Sequence, residues 1–318
     1  MNPASPPGRP RSAVRQVDIG ASETGQRIDN FLAKHLKGVP KSHIYRILRE
    51  GQVRVNRGRI KADYRLQTGD TVRIPPVRMA EEGAPVRPPD SVLQRLRAAI
   101  LYEDEALLIL NKPSGLAVHA GSQLPFGVIE CLRALRPDAP FLELAHRLDR
   151  ETSGCLILAK QRPALLQVQQ LLKTGAVEKR YLLLAAGKWQ GGAREVRAAL
   201  EKNAVRGGER MVQVSDSGRH ALTRFRPVDR FRTATLLEAL LDTGRTHQIR
   251  VHAAHIGHPL AGDDKYGDSD FNRLMAGYGL KRLFLHAQSV AFTLPGGPSI
   301  DVSTPLSDDL KQVLDRLV

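Results

Sequence analysis

A chain of 318 residues with 42% hydrophobic side chains can bury a substantial core and is too long for one small domain, so about two domains are expected. Its formal charge is +15, and residues 1–80 hold 16 Lys and Arg against 6 Asp and Glu, so +10 of that charge sits at one end. Such a field favours a polyanion, either nucleic acid or an anionic membrane. No apolar run approaches bilayer length, residues 1–15 lack the apolar centre of a secretory signal, and the two cysteines make no CxxC pair and no disulfide framework. A cytoplasmic protein without membrane attachment is expected.

Residues 1–20 begin rich in Ser, Pro and Arg and read as a disordered tail. Residues 21–76 read as a compact unit. Ile28, Phe31, Leu32 and Leu36 fall at helical spacing, Pro40-Lys41-Ser42 restarts a second helix with Ile44, Ile47 and Leu48 on one face, and Gly51 ends it. Residues 53–55 and 71–74 alternate as strands. Lys41, Arg46 and Arg49 lie off the apolar stripe, and Arg54, Arg57 and Arg59 follow on the strand and turn. Nearly all of this exposed charge has one sign, which favours phosphate binding over simple solvation. Residues 77–92, rich in proline, read as an extended linker.

Residues 93–318 read as strand-rich, with strands expected at 106–110, 155–159, 180–185, 211–214, 233–240 and 284–285. Helices are expected at 128–135, 163–172 and 246–256, the last capped by Thr246 and ended by Gly257, with a C-terminal helix capped by Ser307. Runs of strands joined by hairpin turns such as Gly296-Gly297 indicate an α+β domain on mainly antiparallel sheet.

The segment His146-Arg147-Leu148-Asp149-Arg150-Glu151-Thr152-Ser153-Gly154 places one carboxylate between two arginines on a turn that feeds a buried strand. A poorly hydrated carboxylate beside guanidinium charge is a candidate nucleophile; it is equally a turn acid in a structural ion pair. His252, His255 and His258 at three-residue spacing cannot comfortably aim at one point across a helix ending at Gly257, so no metal site is expected. Asp263, Asp264, Asp268 and Asp270 lack the terminal Glu and placed Gly of a calcium loop and read as a solvated turn.

The segment around Asp149 resembles the H-R-L-D-x-x-T-S-G motif of the RluA family of pseudouridine synthases at every fixed position. The likeness extends to Asn111-Lys112-Pro113-Ser114-Gly115, Lys179-Arg180-Tyr181, Gly244-Arg245-Thr246-His247-Gln248-Ile249-Arg250 and Arg282-Leu283-Phe284-Leu285-His286, in the family's order. Residues 21–76 are similar to the S4 RNA-binding domain. The resemblance implies an S4-like domain followed by a pseudouridine synthase domain, here residues 93–318, built on mixed, mainly antiparallel sheet. It implies Asp149 as nucleophile, Tyr181 packing on the target base and serving or relaying to the base at C5, Arg245 pairing with Asp149, and Arg147 entering the RNA stack. No cofactor is implied, and the partner would be large-subunit ribosomal RNA or a pre-ribosomal particle, met by a monomer. The S4 module resembles one branch of the family acting on that RNA; a sister branch choosing other uridines, and a ribosome-assembly factor that has lost the chemistry, are the alternatives.

Overall fold

The computed structural model describes residues 13–36, 38–77, 87–121, 125–206 and 209–317. The chain divides into two compact units, residues 1–86 and 87–318.

In the first unit, strand β1 (Arg15–Asp18) is followed by helices α1 (Ile28–His35) and α2 (Lys41–Arg49), then by strands β2 (Arg54–Val55), β3 (Gly58–Arg59) and β4 (Thr71–Ile74). The strands make an antiparallel sheet in the order β1-β4-β2-β3. The apolar stripes of both helices, with Val55, Val72 and Ile74, form its core. β1 corrects the expectation of a disordered tail through residue 20. Residues 1–12 lie outside the described residues, but Arg15 to Asp18 pair with Ile74 to Thr71, and Val17 packs against the core. The expected linker is also shorter than 77–92. Val77 is buried in the first core, residues 78–86 lie outside the described residues, and a helix starts at Asp90.

In the second unit, α3 (Asp90–Ala98) sends Leu93 and Leu96 into a core shared with Val128, Ile129 and Leu132 of α4 (Val128–Leu135). The strands are β5 (Ile100–Glu103), β6 (Leu107–Lys112), β7 (Glu143–Leu144), β8 (Ser153–Ala159), β9 (Glu178–Ala186), β10 (Arg194–Arg197), β13 (Leu222–Arg230), β14 (Ala234–Leu241), β15 (Leu285–Thr293) and β16 (Ser299–Ser303). They build one sheet in the order β10-β13-β14-β9-β15-β8-β6-β5, with β16 on β15 and β7 on β8. A separate hairpin of β11 (Leu200–Arg206) and β12 (Glu209–Val214) stands off it. The remaining helices are α5 (Arg162–Thr174), α6 (Gln248–His255), α7 (Ser269–Gly277) and α8 (Asp308–Asp315). Ser307 precedes α8, but its side chain makes no cap hydrogen bond; its hydroxyl accepts from Arg282.

Alternate residues of β6 and β8 serve opposite faces. Leu108, Leu110, Leu156 and Leu158 pack under α3 and α4, whereas Leu107, Ile109, Cys155 and Ile157 pack with Ala164, Leu165 and Val168 of α5. Burial on both faces explains why these strands read as continuous apolar runs. All pairings in the sheet are antiparallel except β8 with β15, which run parallel through two pairs, Ser153 with His286 and Gly154 with Ala287. Gly154 permits that approach: its φ is +108°, and a Cβ there would collide with the Ala287 carbonyl. The Thr-Ser-Gly of the motif thus seats the start of β8, immediately after Asp149, against β15.

Candidate active site

Asp149 lies on the turn into β8, its side chain 21% exposed, at the wall of a cavity of about 720 Å³. Arg147, Tyr181, Arg245, His247 and Arg250 also line this cavity. The turn is fastened from below. Lys112, fully buried at the end of β6, donates from Nζ to the carbonyl oxygens of Pro113, Leu116 and Arg150 at 2.8–2.9 Å. Burial pushes its ammonium down to about 7, while Glu151 and Asp149 favour its charged form. Ser114 donates to the Glu151 carbonyl, and the Arg150 guanidinium bonds the Gly115 carbonyl. His146 accepts the Ile157 N–H at Nε2; desolvation pushes it down to about 4, so it is neutral.

The two arginines flanking Asp149 in sequence do not pair with it. Arg147 is exposed at the cavity mouth, and Arg150 is turned to Gly115 and Glu151. The positive charge arrives instead from α6, where Arg250 places Nη1 3.4 Å from Asp149 Oδ2. This corrects the expectation for Arg245. Arg245 precedes the helix, is exposed, and donates from Nε to the His220 carbonyl, whereas Arg250, in the first turn of α6, faces inward and is 11% exposed. Thr246 does not cap α6. The N-cap is His247 at φ +53°, and the buried Gln248 ties down the preceding turn by accepting from Arg245 N and Thr243 Oγ1. Gly257, at φ +81°, ends the helix as expected.

Arg250 is held from behind. Its Nε and Nη2 reach the two oxygens of Asp263, both at 2.7 Å, a bidentate pair. Asp263 is buried, and its Oδ1 also accepts from Lys265 N and Tyr266 N. The reading of this acidic run as a solvated turn therefore fails for Asp263, whose carboxyl is held low by Arg250 against the penalty of burial. On the other side of Asp149, His247 Nε2 stands 3.8 Å from Oδ1. His252 is spent on Thr223 and the Ala198 carbonyl, and His258 on the Ala186 carbonyl.

Tyr181 projects from β9 into the cavity and is 7% exposed. Burial and then the charge of Asp149 push its phenol far up, so it is a neutral hydroxyl. Arg250, Asp263, His247 and Lys112, which the structure gathers around Asp149 and its turn, receive no role from the sequence, although three of them lie within the matched motifs. The second arginine of the G-R-T-H-Q-I-R stretch and the Asp after Gly262 are the signals that could find them.

In the first unit, Lys41, Arg46, Arg49, Arg54, Arg57 and Arg59 are all exposed. The sheet adds a feature that sequence spacing hides: Arg54 is directly paired with Arg59 on one side and Arg73 on the other, so three arginine residues share one sheet face. Like charges directly opposite oppose folding, and here Arg54 donates to the Gly51 and Arg57 carbonyls and Arg73 to the Gln52 carbonyl. Among the described residues, no helix is long and apolar enough to cross a membrane.

Residues 106–255 match the model of a family described as RNA pseudouridylate synthase, and residues 26–72 match the S4 domain. The chain is 54% identical over 308 residues to the ribosomal large subunit pseudouridine synthase C of Haemophilus influenzae, covering 96% of each chain. It is likewise 54% identical over 309 residues to that of Escherichia coli strain K12, covering 96% of this chain and 97% of the relative. The solved structure of human RNA pseudouridylate synthase domain containing 4 superposes with a TM-score of 0.59 at 29% identity, over 72% of this chain and 96% of that one. The carboxylate at the cavity wall, the S4 domain ahead of it and relatives alike along nearly their whole length agree: the chain belongs to the RNA pseudouridylate synthase family and is an RNA pseudouridine synthase.

Proposed function

We propose that this protein isomerises chosen uridines of large-subunit ribosomal RNA to pseudouridine, acting as a cytoplasmic monomer, with Asp149 as the nucleophile. The carrying observation is the placement of Asp149, a carboxylate held by Arg250 at one oxygen and facing a cavity large enough for a base taken out of the stack. The relatives that match along the whole chain are named for the large ribosomal subunit. In the reaction the N1–C1′ bond of uridine breaks, the base turns, C5 bonds to C1′, and the C5 proton is replaced by one on N1. No group is gained or lost. Arg250 fixes the carboxylate's rotamer, and Tyr181 offers a ring face for the turning base. Because its phenol is held neutral, Tyr181 serves the C5 proton as a relay and hydrogen-bond donor in preference to a phenolate base. The exposed basic residues of the first unit, Lys41, Arg46, Arg49, Arg54, Arg57 and Arg59, engage the RNA backbone, and Arg147 at the cavity mouth fills the gap the uridine leaves.

The test is a pseudouridine map of large-subunit RNA from cells with and without the gene, and with the gene carrying Asp149→Asn. Loss of defined pseudouridines in the deletion, restored by the wild-type gene and not by the variant, is expected. An unchanged map would refute the assignment to this RNA.

A further inference from the structure

Tyr266 lies behind the cavity wall and touches both neighbours of Asp149. Its hydroxyl accepts the N–H of Val212, in β12, at 3.0 Å, and lies 2.8 Å from His247 Nδ1. The Val212 N–H takes one lone pair of that oxygen, and the tyrosine's own proton has His247 Nδ1 within reach as an acceptor. Given there, that proton leaves the imidazole proton on Nε2, the nitrogen 3.8 Å from Asp149 Oδ1. The ring of Tyr266 also meets the other neighbour, because the Arg250 guanidinium carbon stands 5.0 Å from its centroid, within cation–π range. Tyr266 itself is fixed by its backbone N–H to Asp263, the carboxylate that grips Arg250.

We propose that Tyr266 is a positioning residue for the uridine isomerisation: through its hydroxyl it orients His247 with Nε2–H towards Oδ1, and through its ring it seats Arg250 on Oδ2. The nucleophilic carboxylate then has a donor beside each oxygen, with the closer one on Oδ2, so Oδ1 is the oxygen left to attack. A neutral His247 is part of this arrangement, because an imidazolium carries a proton on Nδ1 and cannot accept the Tyr266 hydroxyl. The charged groups facing His247 are Asp149 and Asp263, which favour its protonation, and Arg250 and Lys265, which oppose it; burial outweighs them and keeps it neutral. The hydrogen bond from Tyr266 to the lone pair of Nδ1 acts in the same direction. The anchoring of Tyr266 on Val212 also ties the geometry of the site to the β11–β12 hairpin.

The inference rests on the proposed reaction, and wild-type turnover on an RNA fragment is its internal control: if wild type makes no pseudouridine, the reaction assignment fails irrespective of Tyr266. Tyr266→Phe keeps the ring and removes only the hydroxyl. Its single-turnover rate should fall about tenfold, the scale of one neutral hydrogen bond, with RNA affinity unchanged. The acid limb of its pH–rate profile should move to higher pH, since His247 loses a bond that favours its neutral form. His247→Gln, which retains an N–H donor at the position of Nε2, should keep more activity than His247→Ala. A wild-type rate and profile for Tyr266→Phe, or a fall in RNA affinity that accounts for the whole loss, overturns the proposal. Should Tyr266→Phe unfold, as read by circular dichroism, the His247 pair decides: equal losses in Gln and Ala overturn it.

Discussion

Arg250 gives two guanidinium nitrogens to Asp263, each at 2.7 Å, and reaches Asp149 with a third at 3.4 Å. Asp263 is thus the fixed end of the triad and Asp149 the adjustable one. The bidentate pair locks the plane of the guanidinium, and that plane sets where Asp149 Oδ2 must lie. An ammonium cannot hold both. Arg250→Lys is therefore expected to lower the single-turnover rate by about 100-fold or more, while Arg245→Ala, which removes a cavity-lining guanidinium bonded to the His220 carbonyl and leaves the Arg250–Asp149 pair in place, should cost less. If Arg245→Ala were the more damaging of the two, the pairing seen at Asp149 would not be the working one.

Asp263→Asn should act on stability before it acts on chemistry. It leaves a largely buried guanidinium without its carboxylate, which costs about 3–5 kcal/mol. Urea unfolding would read this as a fall in midpoint at unchanged slope, and a midpoint equal to that of wild type would argue against the buried pair.

Asp149→Asn keeps volume and polarity and removes the proposed nucleophile. RNA affinity should remain within a few fold while pseudouridine formation is abolished, as followed by tritium release from C5-labelled uridine. Turnover that persists after deamidation has been excluded by mass spectrometry speaks against Asp149 as the reacting group.

His146 links stability to acidity. It is neutral in the fold, pushed down to about 4, against an ordinary value of 6.5 in the unfolded chain. Below pH 6.5 the unfolded state takes up a proton that the folded state refuses, so its contribution is complete above pH 6.5 and is lost as pH falls towards 4. The loss is at most ~3 kcal/mol. His146→Gln can still accept the Ile157 N–H and does not titrate. Its unfolding free energy, measured between pH 7 and pH 4.5, should fall less steeply than that of wild type; parallel curves would remove His146 from the account.

Residues 87–318 should fold without the first unit, because α3 begins after the boundary and its Leu93 and Leu96 complete the catalytic core. RNA affinity of this fragment should drop and its dependence on salt should flatten, as fewer counterions are released, with little change in the chemical step at saturation. Filter binding across a salt series checks the first point, and single-turnover rates check the second.

Elements whose signal is local are legible in the sequence. α4 and β4 match their expected bounds because a helical stripe ahead of Arg136 and a short alternation after Gly69-Asp70 each carry their own punctuation. β1 is not, because Arg-Gln-Val-Asp, mostly exposed, is a strand only by virtue of its partner β4. β13 is hidden for a related reason: Pro227 and its exposed charges obscure a strand that the register with β14 enforces, with a bulge after Pro227. At the site, Asp149 stands out through its motif, whereas Tyr181 is singled out only by the family resemblance, its strand context reading as that of a half-buried tyrosine. The choice between Arg245 and Arg250 depends on where α6 starts, and an end set by a left-handed His247 has no pattern in composition. Asp263 looks solvated in sequence because its partner lies 13 residues earlier on a different element.

The row of Arg59, Arg54 and Arg73 across β3, β2 and β4 lines up three arginine side chains on one face of the first unit. Like charges on neighbouring strands of one face oppose folding, and a polyanion laid across that face would offset this. A polyanion should therefore raise the melting temperature of this unit by more than its mere occupancy of a neutral surface would, and added salt, which relaxes the same repulsion, should stabilise the free unit while weakening its grip on RNA.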